Sequence, residues 1–216
     1  DMRVHKVLEF IIMLRFGQLN SGSYELFGLD NANIRFGLEY GLLDWINVGI
    51  GRSSFEKTYD GFVKLRVARQ STGASNFPVN ITTLSTTTVN TLRELALDRP
   101  DFPFSARMAY THQVLISRKF SQDFSLQVMP TWVHRNEVQE PEINNVYAVG
   151  IGGRIKLSNR LSLNAEYYYQ ANKPDNGASF NPLAIGVDIE TGGHVFQLHV
   201  TNARTMNEKG FIAETM

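Results

Sequence analysis

The sequence has no cysteine. Disulfide scaffolds, cysteine zinc sites and thiol catalysis are therefore excluded. It also has no long apolar run. The longest uninterrupted stretch is "FIIML", residues 10–14, whereas a membrane-spanning helix needs about 20 such residues. Neither charge dominates, with 21 lysines and arginines against 21 aspartates and glutamates. Zero net charge gives no global pull toward nucleic acid, so no nucleic-acid partner is expected. No Pro/Gly-rich linker, low-complexity tract or charge block interrupts the chain, so residues 1–216 read as a single domain. The opening "DMRVHKVLEF" lacks the regions of a signal peptide. The chain is then either cytoplasmic or a mature form after signal-peptide removal.

What is present is strand pattern. Period-2 alternation predicts strands near 6–18, 32–42, 45–53, 60–70, 77–90, 104–120, 123–135, 145–157, 160–170, 182–190 and 194–203. Most exceed the usual five or six residues of soluble strands and suit the roughly 9–11 of a tilted transmembrane strand. The one competing helical stretch is "TLRELAL" (91–97), enough for a turn or two. Connections alternate in length. Tight ones lie at 42–45, 121–123, 158–160 and 190–194, with the medium "STGASN" (71–76) on the same side. Long ones lie at 20–31, 54–60, 92–103, 136–144 and 171–182, and the segment from 203 onward is a sixth. An up-and-down outer-membrane barrel has this asymmetry, with short periplasmic turns and long external loops.

Parity then asks which side is wet. In "NIRFGLEYGL" the odd positions are Arg35, Gly37, Glu39 and Gly41, and the even ones are Ile34, Phe36, Leu38, Tyr40 and Leu42. Other strands repeat this: Leu8, Phe10, Ile12 and Leu14 oppose Glu9 and Arg15, and Val149, Ile151 and Ile155 oppose Gly150, Arg154 and Lys156. A charge on a lipid face costs about 2–4 kcal/mol at mid-membrane, which accounts for the purity of the aliphatic set. The polar set would face a confined lumen. Its candidates are Glu9, Arg15, Arg35, Glu39, Lys64 and Arg66, then Arg107, Arg154, Lys156, Glu166, Asp188 and Glu190. Aromatics fall at both strand ends. Tyr40, Trp45, Phe120 and Phe124 lie near the tight turns, and Phe16, Tyr110, Trp132, Tyr147 and Tyr169 near the long loops. All but Trp45, which sits on a turn, carry lipid parity, so they make two interfacial girdles.

The expectation is an all-β, antiparallel up-and-down transmembrane β-barrel of about 12 strands, 11 of them visible. With the N-terminus periplasmic, strand eleven ends outside and a twelfth must return, because bacterial single-chain barrels have even strand numbers. "GFIAETM" (210–216) would begin that strand or belong to the last external loop, and the displayed chain is expected to stop short of the final strand.

Site chemistry is sparse. "GIGGR" (150–154) is followed by neither a Lys–Ser/Thr pair nor a helix, so it reads as lumen glycine rather than a phosphate loop. No histidine–carboxylate spacing suggests a metal, and neither cofactor nor catalytic residue is expected. A lipid hydrolase would carry serine and histidine on the lipid-facing wall. His112 and His134 have lipid parity, but Thr111 and Thr131 have lumen parity and no serine with lipid parity is expected beside His112. His112 is instead a candidate partner contact, and His199 a polar filler of the lumen. Glu56, Lys57, Tyr59 and Asp60 would form a salt-bridged external turn or a plain solvated loop.

Three long stretches, "RFGQLNSGSYELFGLDNANIRFGLEYGL", "VGIGRSSFEKTYDGFVK" and "DIETGGHVFQLHVTNARTMNEKGFIAET", resemble an uncharacterised family of outer-membrane β-barrels of Bacteroidota. "AYTHQVLISRKFS" and "VGIGGRIKLS" fit the same family. The resemblance implies the outer membrane of a Gram-negative cell, a cleaved signal peptide, a further strand after "GFIAET", and no transferable catalytic residue.

Two roles compete. One is a structural or docking component of an envelope complex with a narrow polar lumen, whose partners are the lipid bilayer and other outer-membrane or periplasmic proteins. The alternative is a porin-like channel for small solutes. Mixed-sign lumen charge tilts the reading toward a tight interior, and lipid hydrolysis is the least favoured option.

Overall fold

The computed structural model describes residues 2–73, 76–93, 103–138, 142–173, 179–192 and 194–215. Eleven strands follow in chain order: β1 (Leu8–Arg15), β2 (Asn33–Leu43), β3 (Ile46–Ser53), β4 (Tyr59–Ala68), β5 (Asn80–Val89), β6 (Met108–Lys119), β7 (Phe124–Arg135), β8 (Asn145–Lys156), β9 (Leu161–Gln170), β10 (Leu183–Glu190) and β11 (Val195–Thr201). Each pairs antiparallel with its sequence neighbour, giving one sheet in the order β1 to β11. The predicted strands all appear, most of them shortened by a few residues at their ends, while β2 runs one residue past its expected end and β4 begins one residue early. The proposed helical stretch at 91–97 lies mostly outside the described residues.

Every neighbour is antiparallel, so β1 and β11 run the same way. Among the described residues no ladder joins them, and the sheet is not closed. Arg15 Nη1 donates to the Ala203 carbonyl at 2.5 Å, tying the end of β1 to the chain just beyond β11.

The sheet has two unlike surfaces. The aliphatic set points outward: Ile50, Val67, Leu198 and Val200 are each more than half exposed. The polar set points inward, where Arg35, Glu39, Asn47, Asp60, Gln113 and Thr131 are buried. This inverts the soluble pattern of oily interior and wet exterior. Tight turns gather at one rim and long connections at the other.

The chain beyond β11 turns back inside. A six-residue helix, α1 (Glu208–Ala213), is capped by the Asn207 side chain, which accepts from the Gly210 amide at 2.8 Å. "GFIAET" is thus mostly helix, neither the start of a twelfth strand nor an external loop, the two alternatives that the odd strand count had suggested. Its apolar residues do not alternate: Ile212 and Ala213 are adjacent and both buried. Helix α1 packs on β6, β7 and β9.

Candidate functional site

The interior divides into an ionic wall and an apolar seat. The ionic wall spans β2 to β4. Arg35 grips Asp60 with a two-point fork; its Nε donates to Oδ1 at 2.9 Å and its Nη2 to Oδ2. One row nearer the tight turns, Glu39 accepts from Asn47 Nδ2 at 2.9 Å and from Lys64 Nζ at 2.9 Å. The Lys64 ammonium also lies 4.8 Å from the centre of the Phe62 ring.

The alternating glycines are the seats of these side chains. A Cβ at Gly51 would overlap the Arg35 guanidinium, one at Gly49 the Phe62 ring, and one at Gly150 the Tyr168 ring. Large inward groups therefore lie flat against a neighbouring strand wherever that strand has no side chain.

The apolar seat lies on β7 and β8, toward the long-connection rim. Met129, Val133, Val146 and Ala148 point inward and cluster with Tyr168, Ile212 and Ala213. Val133 is 0% exposed and Ile212 1%. Burying an isoleucine side chain contributes roughly 1.5–3 kcal/mol, so this is the hydrophobic anchor of the returning chain. Polar ties complete it. Gln170 Nε2 donates to the Ile212 carbonyl at 2.6 Å, and the Phe180 amide donates to the Thr215 carbonyl at 2.8 Å. Lys209 pairs with Glu214 at 2.8 Å and with Glu56 at 3.8 Å, while Arg135 pairs with Glu142 at 2.5 Å and with Glu214 at 3.4 Å. Residues 202–215 thus form a plug across the long-connection end of the lumen.

Burial pushes the Glu208 carboxyl above the ordinary carboxylate range, and Asp60 adds to the rise while Arg35 and Lys64 oppose it. Burial also raises Glu56, against the pull of Lys209.

A cavity of about 2990 Å³ runs from long-connection residues such as Asn20, Arg107 and Val138, past residues 202–214, to tight-turn residues Gln122 and Asp123, and reaches the open edges at Phe10 and Phe196. Of the twelve lumen candidates, all but Arg35, Arg66 and Glu190 line it. Arg35 is buried in the wall against Asp60, and Glu190 ends β10, exposed. Arg66 points inward on β4 and is half-buried. Arg107 sits on a 3-10 turn at the rim, its Nη1 donating to the Leu92 carbonyl at 3.4 Å. Arg154 donates to Ser162 at 3.0 Å, and Asp188 accepts from Gln197 Nε2 at 3.0 Å. Glu9 pairs with Arg3 at 2.5 Å. His199 lines the cavity opposite Gly186.

Two readings change. Glu56, Lys57, Tyr59 and Asp60 do not form their own salt-bridged turn: Asp60 turns inward to Arg35 and Glu56 reaches the plug. A serine does adjoin His112: Ser85 is its register partner on β5, with Oγ 3.0 Å from Nδ1. Strand β5 carries hydroxyls on both faces, so its alternation gives no parity to read. Sequence reasoning also gave Asp60 to the external turn and left it out of the lumen set, although it shares parity with Lys64 on β4. Among the described residues no group of three His, Asp or Glu side chains is placed to hold a metal ion.

An antiparallel up-and-down wall with an aliphatic exterior and a polar interior defines a membrane β-barrel. The chain belongs to the membrane-bound β-barrel domain family (DUF5777), whose model matches residues 1–216. No curated protein matches it.

Proposed function

We propose that this barrel is a structural or docking component of an outer-membrane assembly, and that its lumen does not conduct. The observation that carries this is the plug: Ile212 is anchored inside the barrel against Met129, Val133, Val146 and Ala148, which point into the lumen. A water-filled pore has no use for an inward patch of Met129, Val133, Val146 and Ala148. The rim asymmetry supports tight turns and N-terminus on the periplasmic side, with the plug at the cell surface. Envelope proteins on either side are the candidate partners.

The Ser85–His112 pair does not favour lipid hydrolysis. Among the described residues His112 hydrogen-bonds only Ser85, so no third side chain orients the imidazole as a general base.

The test is reconstitution into planar bilayers beside affinity purification from native membranes. A silent bilayer with a stable co-purifying protein is the expected outcome. Discrete conductance steps from the intact protein would overturn this reading in favour of the small-solute channel.

A further inference from the structure

The outward wall is not uniform. On β1 to β3 and β9 to β11 its strand positions carry only aliphatic and aromatic side chains, Arg52 excepted. On β5 to β8, in the half toward the long connections, it carries Ser85, Tyr110, His112, Trp132, His134 and Asn145. These groups interlock. The His112 ring stacks on Trp132 with centres 5.3 Å apart, and His134 stacks on Tyr110 at 6.3 Å. Asn145 Oδ1 accepts from Trp132 Nε1 at 3.0 Å and lies 2.8 Å from His134 Nδ1. An indole N–H can only donate, so the amide oxygen is the atom facing it, and His134 Nδ1 is then a donor too.

That arrangement leaves hydrogen-bonding capacity over. Nε2 of both imidazoles and Nδ2 of Asn145 have no protein partner among the described residues. Toward the tight turns β6 and β7 become aliphatic, through Val114 and Ile116 on β6 and Leu126 and Val128 on β7, while β5 keeps Thr83 outward beside Val114. The sector is therefore amphipathic along the barrel axis, as a lipid is. Unsatisfied polar groups are costly against hydrocarbon, so their neighbour must be able to hydrogen-bond. A phosphate headgroup calls for fixed cations. The only lysine or arginine at an outward position of β5 to β8 is Arg118, at the tight-turn end beside Phe120.

We propose that this sector is a binding site for a glycolipid. Its uncharged, hydroxyl-bearing ring lies against Trp132 and His112, with ring hydroxyls meeting the two imidazole Nε2 atoms and Asn145 Nδ2. Its acyl chains run down Val114, Ile116, Leu126 and Val128. A lipid, rather than the protein contact read from sequence, then covers His112. The site is independent of whether the lumen conducts.

The sequence holds two tryptophans, so Trp45→Phe leaves Trp132 as the sole indole reporter. The protein is placed in phosphatidylcholine nanodiscs containing equal fractions of chain-brominated glucosyl-diacylglycerol, phosphatidylglycerol or phosphatidylcholine. Quenching of Trp132 by the glucosyl lipid is expected at about fivefold lower mole fraction than by the other two. Asn145→Ala and, separately, His112→Gln should bring it to the phosphatidylcholine level while the folded band persists on unheated gels. If one variant fails to fold, the other decides. Equal quenching by the three lipids, stronger quenching by phosphatidylglycerol, or a glucosyl preference retained in a folded variant overturns the proposal.

Discussion

The two halves of the lumen solve the same problem in opposite ways. On β2 to β4 the interior is filled by charge: Arg35 with Asp60, and Lys64 with Glu39. On β7 and β8 it is filled by hydrocarbon supplied from far along the chain, as Ile212 and Ala213 enter a patch of valine, alanine and methionine. In the ionic half each side chain satisfies another side chain of the wall. In the apolar half the wall is incomplete until the plug arrives. An inward apolar patch in a membrane barrel therefore marks where something other than water resides.

The sharpest way to break the contrast is to leave one charge alone in the ionic half. Arg35→Ala strands the buried Asp60 carboxylate, and losing one partner of a buried pair costs about 3–5 kcal/mol. Urea unfolding in detergent micelles should show that loss across the whole barrel, because β2, β3 and β4 share the pair. Ile212→Ala should act differently. Removing a fully buried isoleucine side chain costs about 2–5 kcal/mol, but here that energy holds only the plug. Protease should cut within 202–215 while the strands stay protected; simultaneous loss of both would mean that the plug and wall form one cooperative unit. Gly150→Val probes the apolar half from the wall side, since its side chain would overlap the Tyr168 ring. The displaced ring costs roughly 1–3 kcal/mol by thermal melting, and Gly61→Val, outward with nothing nearer an added Cβ than the Gly49 carbonyl at 3.9 Å, serves as the mild control.

The smallest effect is the pH response of the plug. Glu208 and Glu56 have carboxyl groups raised by burial. A raised acid holds its proton longer folded than unfolded. Its contribution to stability is full below the ordinary carboxylate range and is lost as pH rises through the raised value. Plug protection in hydrogen exchange should therefore weaken over that rise, and Glu208→Gln, uncharged throughout, should flatten much of the response. Greater protection at higher pH would show that the Lys209 and Arg135 pairs dominate instead.

The strands were legible because period-2 alternation is local. The expectation of 145–157 met Asn145–Lys156, and 45–53 met Ile46–Ser53. The pairing of side chains was not legible, since it depends on register. Asp60 meets Arg35 from 25 residues away, and Ser85 meets His112 only because β5 and β6 align one way rather than one residue off. Strand β5, with threonine on both faces, hid its own parity. The plug hid for another reason. A six-residue helix carries too few turns to show a period, and its stability comes from the patch it meets.

The most direct test of the plugged lumen uses the absence of native cysteine. Ala213→Cys places a single thiol in the apolar seat while keeping the Ile212 anchor, and Lys57→Cys places one on an exposed connection. A membrane-impermeant maleimide should label position 57 promptly in the folded protein and position 213 only after unfolding. Equal labelling rates at the two positions in the folded barrel would contradict the account.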